Sequence, residues 1–300
     1  VPTDFESLVP ETVAAEVVAS VTEQQSAVMQ LARIVRMPSG IEQIPLVTAS
    51  PTSGFVSPQY GGLKPSGEVE WTAATLTAAE IGSVVPVPDA FVADTTFDIW
   101  GSVRDEVIKS FVRVFELAAL FGTNAPTAWP VGGITAAAQA DVATGADELA
   151  ALDAAIGLLE SRGVTVDGIL AGPKLRAALR SKLVTSLQPF TTEPLSIWGI
   201  PLTYSTYWDD SLGVALVGGW DGVIAGVRED MTFSMSSEGV ISDATGKILL
   251  NALQSDSSIM RTYWRLALQV VEPLGPQATP VKTLALAKVG VGTMARSKAA

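Results

Sequence analysis

The sequence predicts an α+β protein with two compact lobes and long extended appendages. Three observations predict it. About fifty residues between Pro38 and Pro88 read as extended strand with little apolar content. A clean helical pattern runs from about Phe97 to Phe121, and helix and strand alternate from about residue 145. At 300 residues the chain exceeds the usual size of one domain and has the apolar content for real cores.

In chain order, the first element is a helix expected from about Pro10 to Arg33. Proline sits near its start, and Val13, Val17, Val21, Val28, Leu31 and Val35 share one face. Such a face packs on its own lobe or lies as an arm across a neighbour; the spacing fits both. The extended segment follows, with Pro45, Pro51, Pro58 and Pro65 and a Gly61-Gly62 pair. Proline cannot donate to a sheet ladder, so this reads as a two-limbed loop and not as the centre of a compact sheet. A limb of about 20 residues reaches roughly 60 Å when extended. A lone two-stranded ribbon is marginal in water, so a neighbouring subunit is its natural support.

The helix at 97–121 is expected to start at a cap from Asp94, Thr95 or Thr96, with Asp98 in its first turn, and to stop at Gly122. Ile99, Val103, Val107, Phe111, Val114, Phe115, Ala118 and Phe121 form its apolar stripe; Arg104, Asp105, Glu106, Lys109, Arg113 and Glu116 take polar positions. The stretch after Gly122, rich in Gly, Ala, Pro and Thr, marks a domain boundary. Beyond it come a helix through Leu149, Leu152, Ile156 and Leu159 ending near Gly163, a strand at VDGILAG, and a short helix at KLRAALRSK. IPLTYST, GVALVGG and MTFSMS read as strands, and KILLNALQ is ambiguous. IMRTYWRLALQVVEP is a long strand able to return to the first lobe, and LALAKVGVG a further edge strand.

Composition removes most chemistry. There is no cysteine and no histidine, hence no disulfide, thiol nucleophile, imidazole proton shuttle or zinc site with nitrogen or sulfur ligands. A net charge of -12 disfavours a surface that wraps nucleic acid by neutralising phosphates. The opening VPTDFESLVP lacks a basic region before an apolar stretch, so a secretory signal is not expected, and a start without methionine reads as trimmed. Apolar runs such as GVALVGGWDGVIAGV are broken well short of a membrane span. The expectation is a soluble, intracellular chain with no cofactor, metal or membrane partner. No nucleotide-binding glycine motif, H-E-x-x-H or G-x-S-x-G is present. The acid pairs Asp209-Asp210, Glu229-Asp230 and Glu68 with Glu70 keep a carboxylate-based hydrolase open as an alternative.

The order of an N-terminal arm, a loop with GGLKPSGEVEW, a long helix ending in FGTNAP, a lobe with WGIPLTYS, then GVALVGGWDGVIAGVREDMTFSMS and MRTYWRLALQVVEP resembles the major capsid protein of tailed double-stranded DNA bacteriophages. The resemblance covers almost the whole chain. It implies an N-terminal arm at 1–37, an extended E-loop at 38–82, a P-domain at 83–144 built on the 97–121 helix, an A-domain at 145–255, and a return to the P-domain with a C-terminal tail at 256–300. It also implies hexamers and pentamers in an icosahedral shell of the virion, assembled in the host cytoplasm. A portal, and scaffolding or cement proteins, would be further partners, and the shell would enclose double-stranded DNA without sequence-specific binding.

On that reading the subunit contacts are Phe55, Leu63, Lys64, Pro65, Val69 and Trp71 in the E-loop and Val13, Val17 and Val21 in the arm. Some members of the family cross-link an E-loop lysine to an asparagine with help from a glutamate. Lys64 matches the lysine, but Asp256 and Tyr263 fall at or near the other two positions, so no cross-link is expected. The shell of an encapsulin-like nanocompartment, which resembles the same family, is a second alternative.

Overall fold

The computed structural model describes residues 26–56, 62, 64–96, 98–139, 141–185, 196–276 and 279–289. In chain order the helices are α1 (Ala27–Leu31), α2 (Asp89–Asp94), α3 (Ile99–Phe121), α4 (Gly133–Ala138), α5 (Glu148–Ser161) and α6 (Pro173–Thr185). The strands are β1 (Arg33–Arg36), β2 (Ile41–Ala49), β3 (Glu70–Thr77), β4 (Ala79–Pro88), β5 (Val142–Gly145), β6 (Gly168–Ala171) and β7 (Ser196–Ile197). They continue as β8 (Ile200–Tyr204), β9 (Ala215–Gly218), β10 (Val223–Ser236), β11 (Val240–Ser242), β12 (Ile248–Asn251), β13 (Ser257–Val270) and β14 (Leu284–Val289).

The first lobe is a four-stranded sheet in the order β1-β10-β13-β4, with α3 laid on it. The helix forms where the sequence predicts, because its apolar residues recur at three and four and bury Val107, Phe111 and Phe115. Phe115 meets the Trp129 ring edge-on at 6.0 Å and the tilted Trp264 ring at 5.7 Å, which joins helix, connector and sheet. The helix starts one step later than expected. Its cap is Asp98, whose carboxylate accepts the Gly101 N–H at 2.9 Å, while Asp94 ends the separate short helix α2. Gly122 stops it at φ 67, a left-handed conformation that a side chain would strain. Two stripe assignments are reversed. Val114 is exposed, and Glu116, expected on the polar side, is 2 % exposed.

The connector after Gly122 is not a loose linker. Trp129, Ile134 and Ala138 are buried there, and the Thr135 hydroxyl donates to the Leu120 carbonyl at 2.7 Å, so α4 plugs the end of α3. The second lobe is a six-stranded mixed sheet in the order β5-β14-β9-β6-β8-β7, covered by α5 through Ala151, Leu152, Ala155 and Leu159.

Strand pairing divides the chain differently from the expected boundaries. Residues 223–236 were expected in the second lobe, yet β10 pairs with β13 across the first. Residues 79–82, expected in the extended loop, lie in β4 against β13. The tail was expected to return to the first lobe or add an edge strand. Instead β14 lies inside the second sheet between β9 and β5, because all four residues of its LALA run are buried.

The single helix expected from Pro10 to Arg33 is also corrected. Ser26 is extended and caps a new start, α1 ends at Leu31, and Val35 belongs to β1, paired in parallel with β10. Val13, Val17 and Val21 lie outside the described residues.

Candidate assembly interface

The extended segment folds as the predicted hairpin. β2 and β3 pair antiparallel from Ile41 opposite Thr77 to Ala49 opposite Glu70, with a bulge between Val47 and Ala49, and form a sheet of their own. Pro45 is tolerated because the ribbon is two edges back to back, each with an outer side unpaired among the described residues.

Burial falls steeply along the ribbon. At its base, Leu76 and Ala74 are buried against Met37, Ile224, Ala267 and Val271 on the first-lobe sheet. Further out, Trp71 is 65 % exposed, and Phe55, Val56 and Val69 are exposed as well. Lys64 and Pro65 are exposed in the same region, and Leu63 lies outside the described residues. The predicted E-loop contacts that are described, Phe55, Lys64, Pro65, Val69 and Trp71, therefore belong to one element, and its apolar side chains Phe55, Val69 and Trp71 are left exposed by the other described residues.

Two further apolar surfaces escaped the sequence reading. The hairpin β11–β12 at the far end of β10 carries exposed Val240, Ile248 and Leu249, joined by exposed Met235 and Leu253. Its signal was the ambiguous run KILLNALQ, apolar without a buried face to match. In the second lobe, Trp198 stands 59 % exposed at φ 51 beside a groove of about 560 Å³ that also takes in Asp153, Ile156 and Glu160.

The other site is internal. The Glu116 carboxylate accepts the Ala27 N–H at 2.5 Å and the Ser26 hydroxyl at 3.3 Å on Oε1, and the Ser205 hydroxyl at 2.7 Å on Oε2. Burial pushes its pKa above the ordinary glutamate value, while the bonds from Ser205, Ala27 and Ser26 pull the other way. Three elements meet there: α1, α3 and the end of β8.

The acid pairs that left a hydrolase open do not converge. Asp209 accepts the Ser211 N–H in a surface turn, Asp210 pairs with Lys174 at 3.7 Å, and Asp230 pairs with Arg36 at 2.5 Å. Glu229 faces Arg265 at 3.7 Å and accepts the Tyr263 hydroxyl at 3.1 Å, and Glu68 and Glu70 are exposed on the ribbon. The first four are held by cations, a tyrosine hydroxyl or turn amides and the last two are simply exposed, so no pair is poised around a cleft. Among the described residues no group of three or more acids could hold a metal ion, and no helix is long and apolar enough to cross a membrane.

A sequence profile described as the phage capsid family matches residues 6–275. A solved chain of Microbacterium phage Oxtober96 superposes with a TM-score of 0.72 at 28 % identity, over 89 % of this chain and 91 % of that one. Chains of Mycobacterium phages Cain and Adephagia share the fold at TM-scores of 0.74 and 0.75, with 21 % and 20 % identity. They cover 90 % of this chain and 92 % and 91 % of their own. No curated protein matches the sequence.

Proposed function

Because the chain belongs to the phage capsid family and is a structural, non-enzymatic subunit of a virion capsid, we propose that its β2–β3 ribbon and leading segment clamp neighbouring copies into hexamers and pentamers of an icosahedral shell. The observation that carries this reading is the contrast along the ribbon: buried Leu76 at its base, exposed Trp71 and Phe55 further out. A surface of that kind becomes satisfied when a second copy covers it, both in its apolar side chains and in its unpaired strand edges. Phe55, Leu63, Lys64, Pro65, Val69 and Trp71 are the ribbon's proposed contacts, and Val13, Val17 and Val21 those of the leading segment.

The second lobes meet around the axes of the capsomers, and Trp198 with its groove is a natural contact there. The shell assembles in the host cytoplasm with a portal and with scaffolding or cement proteins, and encloses double-stranded DNA without reading its sequence. The acidic balance of -12 fits an interior that leaves DNA mobile, since few phosphates would be neutralised. Neither the nanocompartment shell nor the hydrolase gains support from the fold or its relatives.

Sedimentation and negative-stain microscopy of the purified chain test the proposal directly. Uniform closed particles are the expected outcome. A population that remains a 31.2 kDa monomer at high concentration, with its ribbon protected from proteolysis, would overturn it.

A further inference from the structure

Among the described residues, Glu116 is the one carboxylic acid buried to this degree, and nothing in shell assembly accounts for it. It sits mid-stripe on α3, at a position where the helix otherwise buries apolar side chains. Its two oxygens bind different parts of the molecule. Oε1 holds Ser26 and Ala27, where the leading segment enters the described fold, and Oε2 holds Ser205, just past β8 in the second lobe. Each serine hydroxyl also accepts a backbone N–H, Ser26 from Met29 at 3.3 Å and Ser205 from Tyr207 at 3.2 Å. Both lobes and the start of α1 are thus tied through one carboxylate.

We propose that Glu116 is a proton-linked latch that fastens the entry of the leading segment, Ser26–Leu31, to the long helix and to the second lobe at once. Releasing that segment would strip the carboxylate of the Ala27 N–H and Ser26 hydroxyl and let water reach it. Docked and released states therefore hold the proton with different affinity. The groups that face it among the described residues are Ser26, Ala27 and Val28 from the leading segment and Ser205 from the second lobe, with no charged side chain among them.

Desolvation is the largest influence and raises the pKa of the docked state above 4.5, so docking is strongest below that value and weakens as pH rises through the raised one. The protonated acid is also satisfied. Its carbonyl oxygen still accepts from Ala27, and its O–H can donate to a serine oxygen that has a second lone pair free. The latch belongs to the subunit itself and does not depend on how copies are arranged in the shell.

Hydrogen–deuterium exchange by mass spectrometry on the full chain, from about pH 4 to about pH 8 and corrected for the intrinsic pH dependence of amide exchange, tests it. In the wild type, protection over 26–32 should fall as pH rises, while β10 and β13 in the same sample stay constant. Glu116→Gln keeps a carbonyl for Ala27 and should give protection that is flat with pH. Glu116→Ala should also be flat with pH, and at the acid end roughly tenfold less protected than the wild type, the effect of removing a buried acceptor. Wild-type protection over 26–32 that does not fall would overturn the latch, as would a Glu116→Gln slope equal to that of the wild type. If Glu116→Ala does not fold, the wild-type series and Glu116→Gln still decide. Particle formation is scored separately by sedimentation, so failure of the latch and failure of shell assembly are read on different axes.

Discussion

Trp71→Ala should damage assembly while sparing the subunit, and Leu76→Ala, five residues along the same strand, should do the reverse. A tryptophan presents up to about 250 Å², so a 65 % exposed one leaves about 160 Å² for a neighbour to cover. At about 25 cal/mol per Å² that is at most about 4 kcal/mol per contact. Partial cover and the ordering of the ribbon reduce it to about 2 kcal/mol. The threshold concentration for particle formation, followed by light scattering, should therefore rise about 30-fold in Trp71→Ala. Its urea midpoint as an unassembled subunit should move by less than about 0.5 kcal/mol equivalent. Leu76, fully buried against the first-lobe sheet, should cost about 2–5 kcal/mol of subunit stability when truncated. Equal assembly thresholds for wild type and Trp71→Ala, or a urea shift in Trp71→Ala as large as in Leu76→Ala, would refute the idea that the ribbon is an intermolecular element.

Three other outcomes are expected. Gly122→Ala should lose more than about 1 kcal/mol in chemical denaturation, because its φ of 67 is left-handed and a Cβ would meet the Gly132 backbone at 2.8 Å. Shells boiled in denaturant should run on a gel as one band near 31.2 kDa, since Asp256 offers no amide for Lys64 to attack, even though Glu229 stands beside Tyr263; a ladder would contradict this. Arg162 holds Asp141 below the usual carboxylate range through a 2.6 Å bond, so that pair's contribution is present above about pH 3.8 and is lost as pH falls through the depressed value. Asp141→Asn should remove that acid-side loss from the pH profile of thermal stability, at a cost of no more than about 1 kcal/mol near neutrality.

Much of this molecule was legible in the sequence wherever one period dominates. The stripe from Ile99 to Phe121 with its glycine stop gave the long helix, and the prolines between Pro45 and Pro65 marked the ribbon, because both are local consequences of backbone chemistry. Glu116 was illegible for the opposite reason. Its donors Ala27 and Ser205 lie 89 residues away on either side, and without them a glutamate on a helix reads as a solvated face. The tail strand was misplaced because LALA looks the same at an edge as in an interior, and only the pairing with β9 and β5 decides. Of the proposed contact surfaces, the ribbon could be found from composition, whereas the β11–β12 hairpin needed the fold to reveal that Ile248 and Leu249 stay exposed among the described residues.

The interior position of β14 has a consequence for biosynthesis. The second-lobe sheet is split between β5 through β9 and a strand that ends at Val289, and the first-lobe sheet draws on segments from Arg33 to Val270. The first layer cannot close until the ribosome has passed Val270, nor the second until it has passed Val289, so the earlier strands of both wait unmatched. A product cut before Leu284 would carry a slot in its second sheet between β9 and β5, and would be poorly suited to compete with subunits that hold β14.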